Sequence, residues 1–101
     1  MREFLRGAVR LHILHHGALG EVHGAWMATE LAEHGYRISP GSLYPTLHKM
    51  EAEGLLRSNQ QVVHGRSRRS YVATTKGLRV LESTKRQLRE LAREVLGGES
   101  E

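Results

Sequence analysis

The hydrophobic period of this chain changes twice, and those changes limit the folds open to it. Up to Leu55, apolar side chains recur every three or four residues, the spacing of helices buried on one face. The next stretch reads differently. Leu56–Val63 and Arg69–Thr74 are strand-like runs on either side of His64-Gly65-Arg66-Ser67, a pattern that predicts a β-hairpin. Helical spacing then returns to the end. A chain of 101 residues suits one domain, and its core is thin enough to borrow apolar surface from a partner. Hydrophobic residues at 39% against 26% charged give a globular rather than a disordered balance.

The helices can be placed from their caps. The first is expected over 3–16, with Leu5, Ala8, Val9, His12, Ile13 and His16 on one face and Gly17 as its C-terminal cap. The second is expected over 24–34, with Met27, Ala28 and Leu31 inward and Gly35 closing it; no good capping side chain precedes it. The third is expected over 40–53, with Ser39 as cap and Pro40 at the first helical position. Leu43, Leu47 and Met50 face inward. Pro45 removes a backbone bond to Gly41, which predicts a tight or irregular first turn.

Thr74 or Thr75 can cap a last helix over 75–96. Its apolar residues Leu81, Thr84, Leu88, Leu91 and Val95 are spaced 3, 4, 3 and 4, a seam of about two heptads, too short for a stable coiled coil alone. Such a stripe packs either on its own domain or against the first helix and a second copy across a two-fold axis. Leu81, Leu88, Leu91 and Val95 are therefore the expected dimer contacts. Residues 97–101 read as a frayed tail.

Helix, helix, short turn, helix, basic hairpin, helix is the order of a winged helix-turn-helix. The fold expected is mainly α with a two-stranded β wing and a C-terminal dimerisation helix, over 1–96. The charge follows the same plan. Between Gly54 and Leu81 stand Arg57, Arg66, Arg68, Arg69, Lys76 and Arg79 with no Asp or Glu. Six cations against none exceed the whole chain's net charge of +4, so a protruding loop of this kind suits phosphates. On the third helix Ser42, Thr46 and Lys49 are expected to point outward, with Tyr44 and His48 beside them. Small hydroxyls and one Lys suit phosphate contact and light base reading, so specificity would rest partly on DNA shape.

Other chemistries are poorly supported. The absence of cysteine excludes a disulfide scaffold, a thiol nucleophile and any Cys-ligated metal. His12 and His16, four apart with His15 adjacent, could share a metal; lacking an acidic partner at fixed spacing, they are read as a pair that packs at a dimer contact and gives mild pH sensitivity. Neither a metal nor a cofactor is expected. Glu51 and Glu53 face different ways on a helix, and no nucleophile has an evident base, so no enzyme is expected. No run reaches the roughly 18 apolar residues of a membrane span, and Met1-Arg2-Glu3-Phe4-Leu5 is charged too early for a secretory signal. A cytoplasmic protein is the expectation.

The stretch Ser39-Pro40-Gly41-Ser42-Leu43-Tyr44-Pro45-Thr46-Leu47-His48-Lys49-Met50-Glu51, followed by Gly54-Leu55-Leu56, resembles the signature of the PadR family of bacterial transcriptional regulators. His23-Gly24, Gly65-Arg66, Arg68-Arg69-Ser70-Tyr71 and Thr74-Thr75-Lys76-Gly77 resemble its other marks, and the match runs from about Leu5 to Leu81. The length resembles the small subfamily with a single C-terminal helix. The resemblance implies a homodimeric repressor whose third helix and wing bind a palindromic operator in double-stranded DNA. It implies phosphate contacts at Ser39, Ser42 and Tyr44 and wing contacts at Arg66, Arg68 and Arg69.

There are departures. Ala25 and then Trp26 follow His23-Gly24, where the family has a Tyr; Gly20-Glu21-Val22 lacks a common Pro; Ser70 replaces a common aromatic. Trp26 is read either as a core or dimer contact or as an aromatic plate for a small aromatic or drug-like effector. The competing reading of the whole chain is a winged-helix module that binds protein and not DNA.

Overall fold

In the computed structural model, which describes residues 2–97, seven elements follow in order: α1 (Arg2–Leu19), β1 (Val22–His23), α2 (Gly24–Glu33), α3 (Pro40–Ala52), β2 (Leu56–Val63), β3 (Arg66–Ala73) and α4 (Thr75–Val95). The mainly α plan with a hairpin between α3 and α4 is the expected winged-helix order. Of the expected tail, residues 98–101 lie outside the described residues.

Three local features differ from expectation. Helix α1 runs through Gly17 instead of ending there, and it buries Val9, Ile13, Leu14 and Gly17, while Leu5 is exposed. Gly17 marks the crossing of α1 over the sheet: a Cβ there would lie 3.3 Å from the Ala73 nitrogen and 3.4 Å from Leu56 Cδ2. The sheet also has three strands, not two. Val22 and His23 pair with Tyr71 and Ser70, giving the antiparallel order β1-β3-β2. A two-residue strand has no alternation for a sequence to display. Finally, β2 and β3 pair from Leu56 opposite Ala73 out to Val63 opposite Arg66, so the turn is only His64-Gly65. Both residues have positive φ (53° and 76°), as a type I′ hairpin turn requires. Arg66 and Ser67, expected in the connection, are strand residues.

The core is one cluster, with Ile13, Met27, Leu31, Leu43, Leu47, Met50 and Tyr71 almost wholly enclosed. Ser39 occupies the N-cap of α3 through its carbonyl, which accepts from the Ser42 and Leu43 nitrogens at 2.9 and 2.8 Å. Its hydroxyl does not cap; it donates instead to Ser42 Oγ at 3.4 Å. The helix continues unbroken through Pro45, and the carbonyl of Gly41, deprived of its helical donor, lies on the exposed side where water can serve it.

The end of α3 is tied to the start of α4. Thr74 Oγ1 accepts from the Gly77 nitrogen at 3.0 Å and donates to the Gly54 carbonyl at 2.5 Å. The Thr74 nitrogen donates to the Leu55 carbonyl at 3.1 Å, and Lys76 Nζ donates to the Glu53 carbonyl at 2.7 Å. Glu53 caps the end of α3, and Gly54 and Leu55 lie past it, so none of these three carbonyls has a partner within a helix. Gly77 makes the approach feasible, because a Cβ there would sit 2.2 Å from the Leu55 oxygen.

Helix α4 then leaves the domain. The radius of gyration of 14.8 Å exceeds the roughly 13 Å of a compact chain this size, and the longest axis is 52 Å. The apolar stripe divides accordingly. Leu81 is 4% exposed and belongs to the chain's own core, which corrects its reading as a free dimer contact. Leu88, Leu91 and Val95 are 47, 50 and 69% exposed.

Histidines fill the contact between α1 and α2. Glu30 Oε2 lies 3.0 Å from His34 Nε2 and 3.4 Å from His16 Nε2, and the His12 ring lies 5.1 Å from those of His34 and Tyr36. Burial first, then crowding by neighbouring imidazoles, holds the pKa values of His12 and His16 below the ordinary range, although Glu30 opposes it.

Two outcomes follow from this packing. Gly77→Ala should destabilise the fold by at least about 2 kcal/mol in denaturant unfolding, because a backbone carbonyl must move. Depressed folded-state pKa values mean that the unfolded chain binds more protons below about pH 6.5. Stability should therefore fall as pH drops from about 6.5 through the folded values, and thermal melts of His12→Gln should show a shallower acid decline.

Candidate nucleic-acid interface

Helix α3 turns Leu43, Leu47 and Met50 into the core. Helical spacing then puts Gly41, Pro45, His48 and Ala52 on the opposite, outermost ridge. Three of those four are small, so this ridge can approach another surface closely. Ser42 and Lys49 are exposed on the flank nearer α1, as is Ser39 at the helix start. Thr46 is half-buried, and its hydroxyl donates to the Ser42 carbonyl at 2.8 Å, so it is less available than expected. Tyr44 lies on the other flank. It is seated on Gly24, where a Cβ would come within 2.6 Å of Tyr44 Cε1. The glycine that opens α2 is thus a seat for the tyrosine of α3.

The hairpin sorts its arginines by face. Side chains alternate along a strand, so Arg66 and Arg68 share one face of β3 while Arg69 lies on the other. Arg69 donates to Ser58 Oγ and Gln60 Oε1, both at 3.0 Å. Ser58 in turn donates to Glu51 Oε2 from its hydroxyl (2.7 Å) and its backbone nitrogen (3.3 Å). A continuous polar path therefore runs from α3 through β2 to β3. Read from the sequence, Glu51 is only a carboxylate facing away from Glu53 and Ser58 only a strand residue; their bond depends on the strand register. Lys76 is likewise held, by the Glu53 carbonyl. Arg57, Arg66, Arg68 and Arg79 are exposed and, among the described residues, make no ion pair or side-chain hydrogen bond.

Two apolar features lie away from this face. A groove of about 360 Å³ between α1 and α4 is lined by Phe4, Leu11, His15, Tyr36, Leu81 and Leu88. Trp26, 46% exposed, stands edge-on to His16 with centroids 5.2 Å apart, beside an open hollow of about 490 Å³ that Leu19, Val22 and His23 share. Among the described residues no helix is long and apolar enough to cross a membrane.

Comparison with known proteins agrees with this geometry. A family model described as the transcriptional regulator PadR-like family matches residues 11–83. A protein named transcriptional regulator Rv3488, from Mycobacterium tuberculosis, is 66% identical over 100 residues, 99% of this chain and 94% of that one. The crystal structure of a PadR family transcriptional regulator from Eggerthella lenta superposes with a TM-score of 0.82 at 31% identity, over 92% of this chain and 82% of that one. A PadR-like transcriptional regulator from Bacillus cereus gives 0.79 at 32% identity, over 96% and 99%. Fold and surface together define a winged-helix transcriptional regulator, not an enzyme. The chain belongs to the PadR-like family.

Glu51→Ala should loosen the hairpin without unfolding the domain. The lost charge-assisted bond at Ser58 is worth about 1.5–3 kcal/mol locally, so the amides of Ser58 and Gln60 should exchange with deuterium about tenfold faster or more, while those of α1 keep their protection.

Proposed function

We propose that the chain is a repressor that binds a palindromic operator in double-stranded DNA as a homodimer. The observation that carries this reading is the surface shared by α3 and the hairpin. There the outward ridge Gly41-Pro45-His48 stands beside Lys49, and the hairpin that follows α3 carries Arg57, Arg66 and Arg68, without an ion pair among the described residues, and no carboxylate. Ser39, Ser42, Tyr44 and Lys49 position α3 against phosphates at a major groove, and Arg66 and Arg68 reach the backbone from the hairpin tip. Thr46 and Arg69 belong to the same face but act from within, as a bond to the Ser42 carbonyl and as the wing's brace.

The dimer is supported by apolar surface that one chain leaves uncovered. Leu88, Leu91 and Val95 continue the groove between α1 and α4, and an isologous contact there would cover both copies at once. Two copies would place their α3 helices about one DNA turn apart, giving half-sites separated by roughly 10 bp. Trp26, partly exposed beside its hollow, is where a small aromatic effector would register. A regulator that works on DNA would act in the cytoplasm.

Selection of bound sites from random duplexes tests this. The expected result is a pseudo-palindrome bound by a dimer; failure to enrich any sequence, with no shift of duplex DNA at low salt, favours a protein-interaction module instead. Within that experiment, Arg68→Ala should lower the salt slope of binding by about 1, the loss of one phosphate contact. An unchanged slope removes Arg68 from the interface.

A further inference from the structure

A groove lies away from the hairpin, between the first turns of α1 and the outer flank of α3. It measures about 820 Å³. Arg2 and Arg6 line it from α1, Arg37 from the turn between α2 and α3, and Ser42 and Lys49 from α3; no carboxylate lines it. Its floor is apolar, with Leu5, Val9 and Ile38.

Arg2, Arg6 and Arg10 stand four residues apart and form one row on α1. Their fates differ. Arg10 is neutralised by Glu53 at 2.6 Å, whereas Arg2 and Arg6 have no ion-pair partner among the described residues. Like charges at this spacing oppose helix formation, so the row is unfavourable until an anion lies along it. Four cations around one trough, with a serine hydroxyl on its wall, match a run of phosphates better than a single anion.

We propose that this groove seats the phosphate backbone beside the half-site, so that Arg2, Arg6 and Arg37 extend the DNA contact onto α1 and the α2–α3 turn. This rests on the DNA-binding reading above. Duplex DNA is favoured over other polyanions because the groove shares its wall with α3: a strand bordering the major groove that α3 enters must pass along that flank. Contacts of this kind fix register and carry no sequence information.

The test is a salt titration of binding to a selected duplex and to a scrambled one, for the wild type, Arg2→Gln/Arg6→Gln and Arg37→Gln. Two lost phosphate contacts lower the slope by about 1.8, so the wild type should lose about 12-fold more affinity than the double variant between 50 and 200 mM salt. Arg37→Gln, on a different element, should lower it by about 0.9. The ratio of specific to scrambled binding should stay unchanged in both. Arg10→Gln, whose guanidinium Glu53 already holds, should keep the wild-type slope. If the wild type binds but neither groove variant alters the slope, this inference fails while the DNA-binding reading stands. If the wild type binds no duplex, both fail. Loss of binding to vesicles rich in phosphatidylserine, with DNA slopes intact, would assign the groove to anionic lipid and overturn the proposal.

Discussion

Everything directional in this fold depends on the junction at Glu53-Gly54-Leu55. A helix ends there, a strand begins within two residues, and the last helix starts against the same three carbonyls. Lys76, the Thr74 hydroxyl and the Thr74 nitrogen satisfy one carbonyl each. Left unpaired in a partly buried site, such groups would each cost on the order of 1–3 kcal/mol. The absence of a side chain at Gly77 lets the contact close. The result is one fixed corner from which α3, the hairpin and α4 leave in set directions.

That corner also decides which cations serve the fold and which face outward. Lys76 caps the end of α3, Arg10 neutralises Glu53, and Arg69 braces the hairpin against Ser58 and Gln60. The Arg10 partnership holds the Glu53 carboxyl below the usual range, so the pair stays ionised at neutral pH. With those three engaged, the exposed cations without an ion pair among the described residues are those of the hairpin, those around the trough beside α3, and Arg79, Arg86 and Arg89 along α4. On the proposed reading, phosphates meet two basic walls on either side of a helix whose own outer ridge is nearly bare.

Much of this was legible in the sequence because it depends on local chemistry. The stripe Leu43-Leu47-Met50, the Pro40 start, the Thr74 cap and the hairpin around Gly65 each follow from spacing or from the needs of a single residue. What escaped depends on elements meeting in space. Gly17 reads as a helix stop unless one knows that a sheet crosses above it. Val22-His23 becomes a strand only because β3 has a free edge. Arg66, Arg68 and Arg69 look equivalent until the register places the third beside Ser58, and Leu81 looks like Leu88 until α4 is seen to leave the core between them.

The central claim is that α3 and the hairpin move and bind as one unit oriented by the α3–α4 junction. Backbone amide shifts measured during titration with a selected duplex test it most directly. The account predicts that amides from Gly41 to Lys49 and from Val63 to Arg68 shift together along one binding curve. Shifts confined to Leu88–Val95, with α3 and the hairpin silent, would contradict it.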